Sequence, residues 1–156
     1  MRTGVRLAVD LGSARVGVAR CDPSGLLASP LATLARGRGD VAELAALVAA
    51  HQPIEVIVGL PTGLSGRAGA AAEAARAFAK SLAAQLAPVP VRLVDERFTT
   101  VIAHDVLRQG GRGSRERRPV VDKAAAALIL QGALDAERST GHPAGELVGS
   151  SSGAGG

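Results

Sequence analysis

Three short apolar runs, residues 5–10, 56–58 and 91–94, constrain the fold of this chain more than any other feature. Each has the length of a strand, and helix-length segments separate them. The second is continuously apolar, as in a sheet buried on both faces. After the first run Gly12-Ser13 turns the chain, so that 15–20 returns as a second strand of a β-hairpin. Residues 26–34 follow the turn Asp22-Pro23-Ser24-Gly25 as a third strand. Asp40 is placed to N-cap a helix over 41–50, with Pro53 just beyond its end. An Ala-rich helix over 68–86 follows, stopped by Pro88 and Pro90, and helices over 100–109 and 120–138 complete the order. An antiparallel start followed by βαβ units predicts an α/β fold: a mixed five-stranded sheet flanked by helices on both faces. Residues 1–138 form its one domain. Residues 139–156, mostly Gly, Ser, Ala and Pro, are expected to be a disordered tail.

Composition narrows the partners. Only Phe78 and Phe98 are aromatic, so the core must be built from Ala, Val and Leu. A net charge of +4 favours a polyanionic partner such as nucleic acid. Cys21 is the only cysteine, which excludes an internal disulfide and a Cys-rich zinc site. His51, His104 and His142 lie far apart and make no metal-binding pattern. A reduced, cytoplasmic protein fits this usage. Asp10 interrupts the N-terminal apolar stretch too early for a signal peptide, and no apolar run approaches bilayer length, so no membrane partner is expected. Cys21 lies near a turn, where, if exposed, it could link two subunits on oxidation.

Three acids carry the chemistry. Asp10 ends the first strand, Glu96 follows the last, and Asp122 lies in the first turn of the last helix. Sites in open α/β sheets form beyond the carboxyl ends of the strands, and this layout can gather all three there. A carboxylate cluster repels itself unless a cation fills it. Hard oxygen ligands select Mg2+ or Mn2+ over zinc. Two such ions about 4 Å apart can clamp the attacking water and the leaving oxygen of a phosphodiester. Asp10 then bridges the ions while Glu96 and Asp122 each hold one. Singly, each acid has a plainer role: Asp10 as a turn residue, Asp122 as a helix-start acid, Glu96 as a partner of Arg97 or Arg92. Asp95 rivals Glu96, because neighbours at a strand end point oppositely. One distance stands against the cluster. If strand 56–59 lies between the first and last strands, Asp10 and Glu96 are about 9–10 Å apart at the backbone. Only the long Glu side chain, on a loop that curls back, could close that gap.

Residues 108–118 contain Arg108, Arg112, Arg115, Arg117 and Arg118 against the single acid Glu116, and this stretch immediately precedes Asp122. A cationic loop there suits contact with a phosphate backbone, and Arg15 and Arg97 are further candidates. With no aromatic residue among them, base stacking is not expected to drive binding. Gly12, Gly59 and Gly63 are candidates for cradling a phosphate on free backbone N–H groups. A tight turn that needs glycine explains them equally well.

The same residues carry a resemblance. Val9-Asp10-Leu11-Gly12 with Arg15-Val16-Gly17-Val18-Ala19 resembles the opening of the YqgF or RuvX-like family. So do Val58-Gly59-Leu60-Pro61 with Gly66, Asp95-Glu96-Arg97-Phe98-Thr99-Thr100, and Asp122-Lys123-Ala124-Ala125 with Leu130-Gln131. The match runs from Leu7 to Leu134. It implies a ribonuclease H-like fold related to Holliday-junction resolvases. It implies a nuclease that matures the 5′ end of precursor 16S ribosomal RNA, with Asp10, Glu96 and Asp122 as the acidic site. Lys123 departs from the family pattern, which usually has Gln there, and the Gly-Ser tail has no counterpart in it. The rival readings are a resolvase acting as a homodimer on four-way DNA junctions and a non-catalytic RNA-binding or transcription-associated module. The module gains nothing from a carboxylate cluster. A phosphate-binding ATPase or sugar kinase shares a similar opening but needs a second comparable domain.

Overall fold

The computed structural model describes residues 2–12, 14–61, 66–96 and 114–148, with 66–68 and 114–123 as backbone only. The strands are β1 (Arg6–Leu11), β2 (Arg15–Cys21), β3 (Ala28–Ala35), β4 (Glu55–Leu60), β5 (Val91–Asp95) and β6 (Glu146–Leu147). The helices among the described residues are α1 (Asp40–His51), α2 (Gly66–Leu86) and α3 (Ser114–Thr140). The sheet runs β3-β2-β1-β4-β5-β6. β1 pairs antiparallel with β2 and parallel with β4, and β4 pairs parallel with β5. The expected mixed α/β sheet is therefore present, with β4 between β1 and β5.

Strand alternation divides the interior in two. Leu7 and Val9 of β1, Val56 and Val58 of β4, and Val91 and Leu93 of β5 pack with α1 and α2 around Leu44, Phe78 and Leu82. Ala8, Ile57 and Val94, from the alternate positions of the same strands, pack under α3 with Ile129, Leu130 and Leu134. The residues facing α3 include the small Ala8, Ala19 and Cys21, and α3 lies across β1, β2 and β3. All six residues of β4 are buried, as its apolar run requires.

Four expectations need correction. The sheet has six strands, because β6, from the chain beyond α3, is added antiparallel to β5. Gly145 permits this approach: its φ is +77°, and a Cβ there would collide with the Leu93 carbonyl. The last helix begins earlier than expected, at Ser114, so the backbone of Arg115, Arg117 and Arg118 is helical rather than looped. Asp40 is the first residue of α1 rather than its cap; Gly39 holds the cap position with no side-chain bond. The Asp40 carboxylate instead accepts from the Gly37 N–H at 3.1 Å and pairs with Arg36 at 3.3 Å. Cys21 is buried, with Sγ accepting from the Arg6 N–H at 3.2 Å, so it is not exposed for an intersubunit disulfide. The helix expected over 100–109 lies outside the described residues.

Candidate active site

Asp10 stands near the carboxyl end of β1, on the strand face that carries Ala8 and looks toward α3. Alternation puts Gly59 on the same face of β4, two residues after Ile57. Glu96 is the first residue past the end of β5, and its side chain is directed to this face by its hydrogen bond to Asp10. Asp95 falls in step with Val91 and Leu93, on the face covered by α1 and α2. Of the two neighbouring acids, the one whose side chain meets Asp10 is Glu96.

The two carboxyl groups meet although β4 separates their strands. Glu96 is hydrogen-bonded to Asp10, and the position a Cβ would take on Gly59 lies 3.0 Å from Glu96 Oε2. Glu96 therefore passes over the strand between. Burial, the charge of Asp10, the Asp10 hydrogen bond and the charge of Asp95, in that order, push the Glu96 carboxyl up from 4.5 to about 7. A proton between the two carboxyl groups is what that hydrogen bond requires.

A carboxyl whose pKa is raised on folding stabilises the fold fully below its unfolded value of 4.5, and that stabilisation is lost as pH rises through about 7. In chelator, the Glu96→Gln variant, which imitates the neutral acid, is expected to melt above wild type at pH 8. The gap should narrow toward pH 5. Melting curves across that range check it; parallel curves would show that Glu96 ionises freely.

The turn after Asp10 is held from two sides. Gly12 donates its N–H to the Arg15 carbonyl at 2.8 Å, and a Cβ on Gly12 would lie 2.9 Å from that oxygen. Arg36 donates from Nη1 to the Gly12 carbonyl at 2.9 Å, with its guanidinium 5.9 Å from the centre of the Phe78 ring. Sequence reasoning missed Arg36. Its only signal was a charge next to the glycine pair Gly37 and Gly39. The phosphate cradle expected at Gly12 and Gly59 is corrected: the Gly12 N–H closes a hairpin, and Gly59 is a buried strand residue. Gly63, Arg97 and Arg112 lie outside the described residues. Arg15 opens β2, opposite Ala35 of β3. Asp122, like Arg115, Arg117 and Arg118, is described as α3 backbone only.

The donor set fits a hard divalent cation. Two carboxyl groups meet at the strand ends, and the Asp10 charge raises the affinity of Glu96 for a proton. A cation can take that proton's place.

The chain has relatives among known proteins. A family model described as "RuvX: Holliday junction resolvase" matches residues 4–136. A Thermobifida fusca protein named as a candidate pre-16S rRNA nuclease is 61% identical, over 95% of this chain and 98% of its own length. A Nocardioides protein of the same name is 58% identical, with 95% and 98% covered. T. thermophilus RuvC in complex with Holliday junction substrate superposes with a TM-score of 0.57 at 16% identity, covering 92% of this chain and 99% of that one. That likeness bears on the fold, which is ribonuclease H-like.

Proposed function

Because this chain belongs to the RuvX family, we propose that it is a divalent-metal-dependent nuclease that trims the 5′ end of precursor 16S ribosomal RNA. The observation that carries the chemistry is the Asp10–Glu96 carboxyl pair, assembled across β4 at the end of the sheet. The relatives named for pre-16S rRNA, matched over nearly their full length, support the substrate.

Asp10, Glu96 and Asp122 would hold Mg2+ or Mn2+, Asp10 between two ions. Position 122 lies seven residues before Ile129 on α3, and two helical turns return to the same side of a helix. Ile129 itself overlies Gly59. A bound ion supplies Lewis acidity at the phosphoryl oxygen and a water acidic enough to attack near neutral pH. Arg15, Arg97, Arg112, Arg115, Arg117 and Arg118 are the proposed contacts for the substrate's phosphates, which position the strand without reading its bases. Among the described residues no helix is long and apolar enough to cross a membrane. A cytoplasmic site of action, where the precursor is made, fits the free thiol of Cys21.

The family model's description as a Holliday junction resolvase favours a second reading, cleavage of four-way DNA junctions. That reaction cuts two strands symmetrically and needs a two-fold dimer. One assay separates the two. Purified protein is given a 16S rRNA fragment with its 5′ leader, or a four-way DNA junction, with Mg2+, Mn2+ or EDTA. Leader removal with either metal and none in EDTA is expected. Undiminished cutting in chelator would sink the metal mechanism, and paired cuts in the junction with an intact leader would establish the resolvase.

A further inference from the structure

Glu96 can cross β4 only because one residue there has no side chain. On the face of β4 that looks toward α3, the positions are Glu55, Ile57 and Gly59. A Cβ added at Gly59 would lie 2.7 Å from Ile129 Cδ1, 3.0 Å from Glu96 Oε2 and 3.2 Å from Glu96 Cγ. The space is thus filled from two directions, by α3 and by the catalytic-site glutamate. The backbone does not ask for glycine, since Gly59 is not among the positive-φ residues and pairs as an ordinary strand position with Val94. What requires glycine is the volume above it.

We infer that Gly59 is a positioning residue for the carboxylate pair: the absent side chain is the opening through which Glu96 on the β5 side is brought to Asp10 on β1. The inference rests on the reading of Asp10 and Glu96 as metal ligands. It explains how this fold assembles its site from strands that are not neighbours. The strand between contributes no ligand of its own and makes way for one. The contact at Cγ matters more than the one at Oε2. A terminal oxygen can rotate away and still bind, but Cγ must give by a few tenths of an ångström, and the carboxyl it carries shifts with it relative to Asp10.

The two contacts of Gly59 allow a test that separates packing from positioning. Gly59→Ala meets both Ile129 and Glu96. Adding Ile129→Val removes Cδ1, the closest atom, and leaves the clash with Glu96. Melting temperature and Mn2+ affinity, the latter from the electron paramagnetic resonance signal of free Mn2+, are measured for wild type, Glu96→Gln, Gly59→Ala and Gly59→Ala/Ile129→Val. The single glycine variant is expected to melt lower and to bind Mn2+ at least tenfold more weakly, approaching Glu96→Gln. The double variant is expected to regain most of the melting temperature and none of the affinity. Recovery of both would make Gly59 a packing residue, and wild-type affinity in Gly59→Ala would overturn the inference outright. If wild type itself bound no Mn2+, the metal-site reading would fall, and the inference with it.

Discussion

Asp10→Asn is expected to lower the rate of leader cleavage on the order of a thousandfold while the protein stays folded, a loss of about 4 kcal/mol of transition-state stabilisation. Asn keeps the shape and one carbonyl oxygen but gives up the charge that would hold the ions. The fold has no need of that charge. Asp10 is one of the groups that push Glu96 up, so its removal relieves a repulsion. In chelator the variant should therefore melt at or above wild type. Loss of activity together with held or raised stability is the mark of a residue kept for chemistry at a structural disadvantage. The measurement is single-turnover cleavage with saturating protein, beside a melting curve. A folded variant cutting at the wild-type rate would remove Asp10 from the site.

The sequence shows where the acids sit but not how they meet. Asp10 and Glu96 are legible because each ends an apolar run, and strand ends are where α/β sheets build sites. Parity could not choose between Asp95 and Glu96, because β5 ends at Asp95 and Glu96 lies just beyond it. The role of Gly59 was not legible. A glycine between a strand and a helix reads alike whether it turns the chain, exposes an N–H or leaves room for a neighbour. Only the position of Glu96 distinguishes these. The short strand β6 was not legible for a related reason. Gly141, Gly145 and scattered polar residues look like a solvated segment, whereas a short strand needs only an open sheet edge and a glycine able to approach it. Here Val148 donates to the Val91 carbonyl at 2.8 Å, and Glu146 pairs with Arg76 at 3.1 Å. Windows of composition do not register a contact that depends on two residues and a distant strand.

The other charge in the first apolar run, Arg6, is the clearest case of a partner hidden by sequence distance. It is fully buried at the start of β1, the end of the sheet opposite Asp10. A guanidinium in the interior is tolerable only when paired and hydrogen-bonded. Its Nη2 donates to Glu137 Oε1 at 3.2 Å and to the Arg2 carbonyl at 2.9 Å, and Nη1 donates to the Gly4 carbonyl at 2.9 Å. Glu137, near the end of α3, is itself 3% exposed and also accepts from Arg2 Nε at 3.0 Å and Nη2 at 2.9 Å. These bonds hold its carboxyl well below the usual range. Glu55, equally buried, lies 3.1 Å from Arg2 and 3.2 Å from Arg92. One glutamate thus ties the N-terminal segment, β1 and the last helix together.

Glu137→Ala is therefore expected to destabilise the fold by about 3–5 kcal/mol, because it leaves the Arg6 charge buried against carbonyls alone. For a domain of this size that is a fall in melting temperature of roughly 10 °C. The loss is largely restored when the charge is removed as well. Arg6→Met with Glu137→Leu replaces the buried pair by apolar side chains of similar length, and such exchanges are close to neutral. The double variant should recover most of what the single one loses, with Arg2, which is 38% exposed, left to solvent and Glu55. Cleavage per folded molecule should be unchanged in both, since the pair stands at the far end of β1 from Asp10. Thermal melts of the wild type, Arg6→Met, Glu137→Leu and the double variant give the coupling energy directly. Additive losses would mean that Arg6 is stabilised by the Gly4 and Arg2 carbonyls alone, and that Glu137 serves only the exposed Arg2.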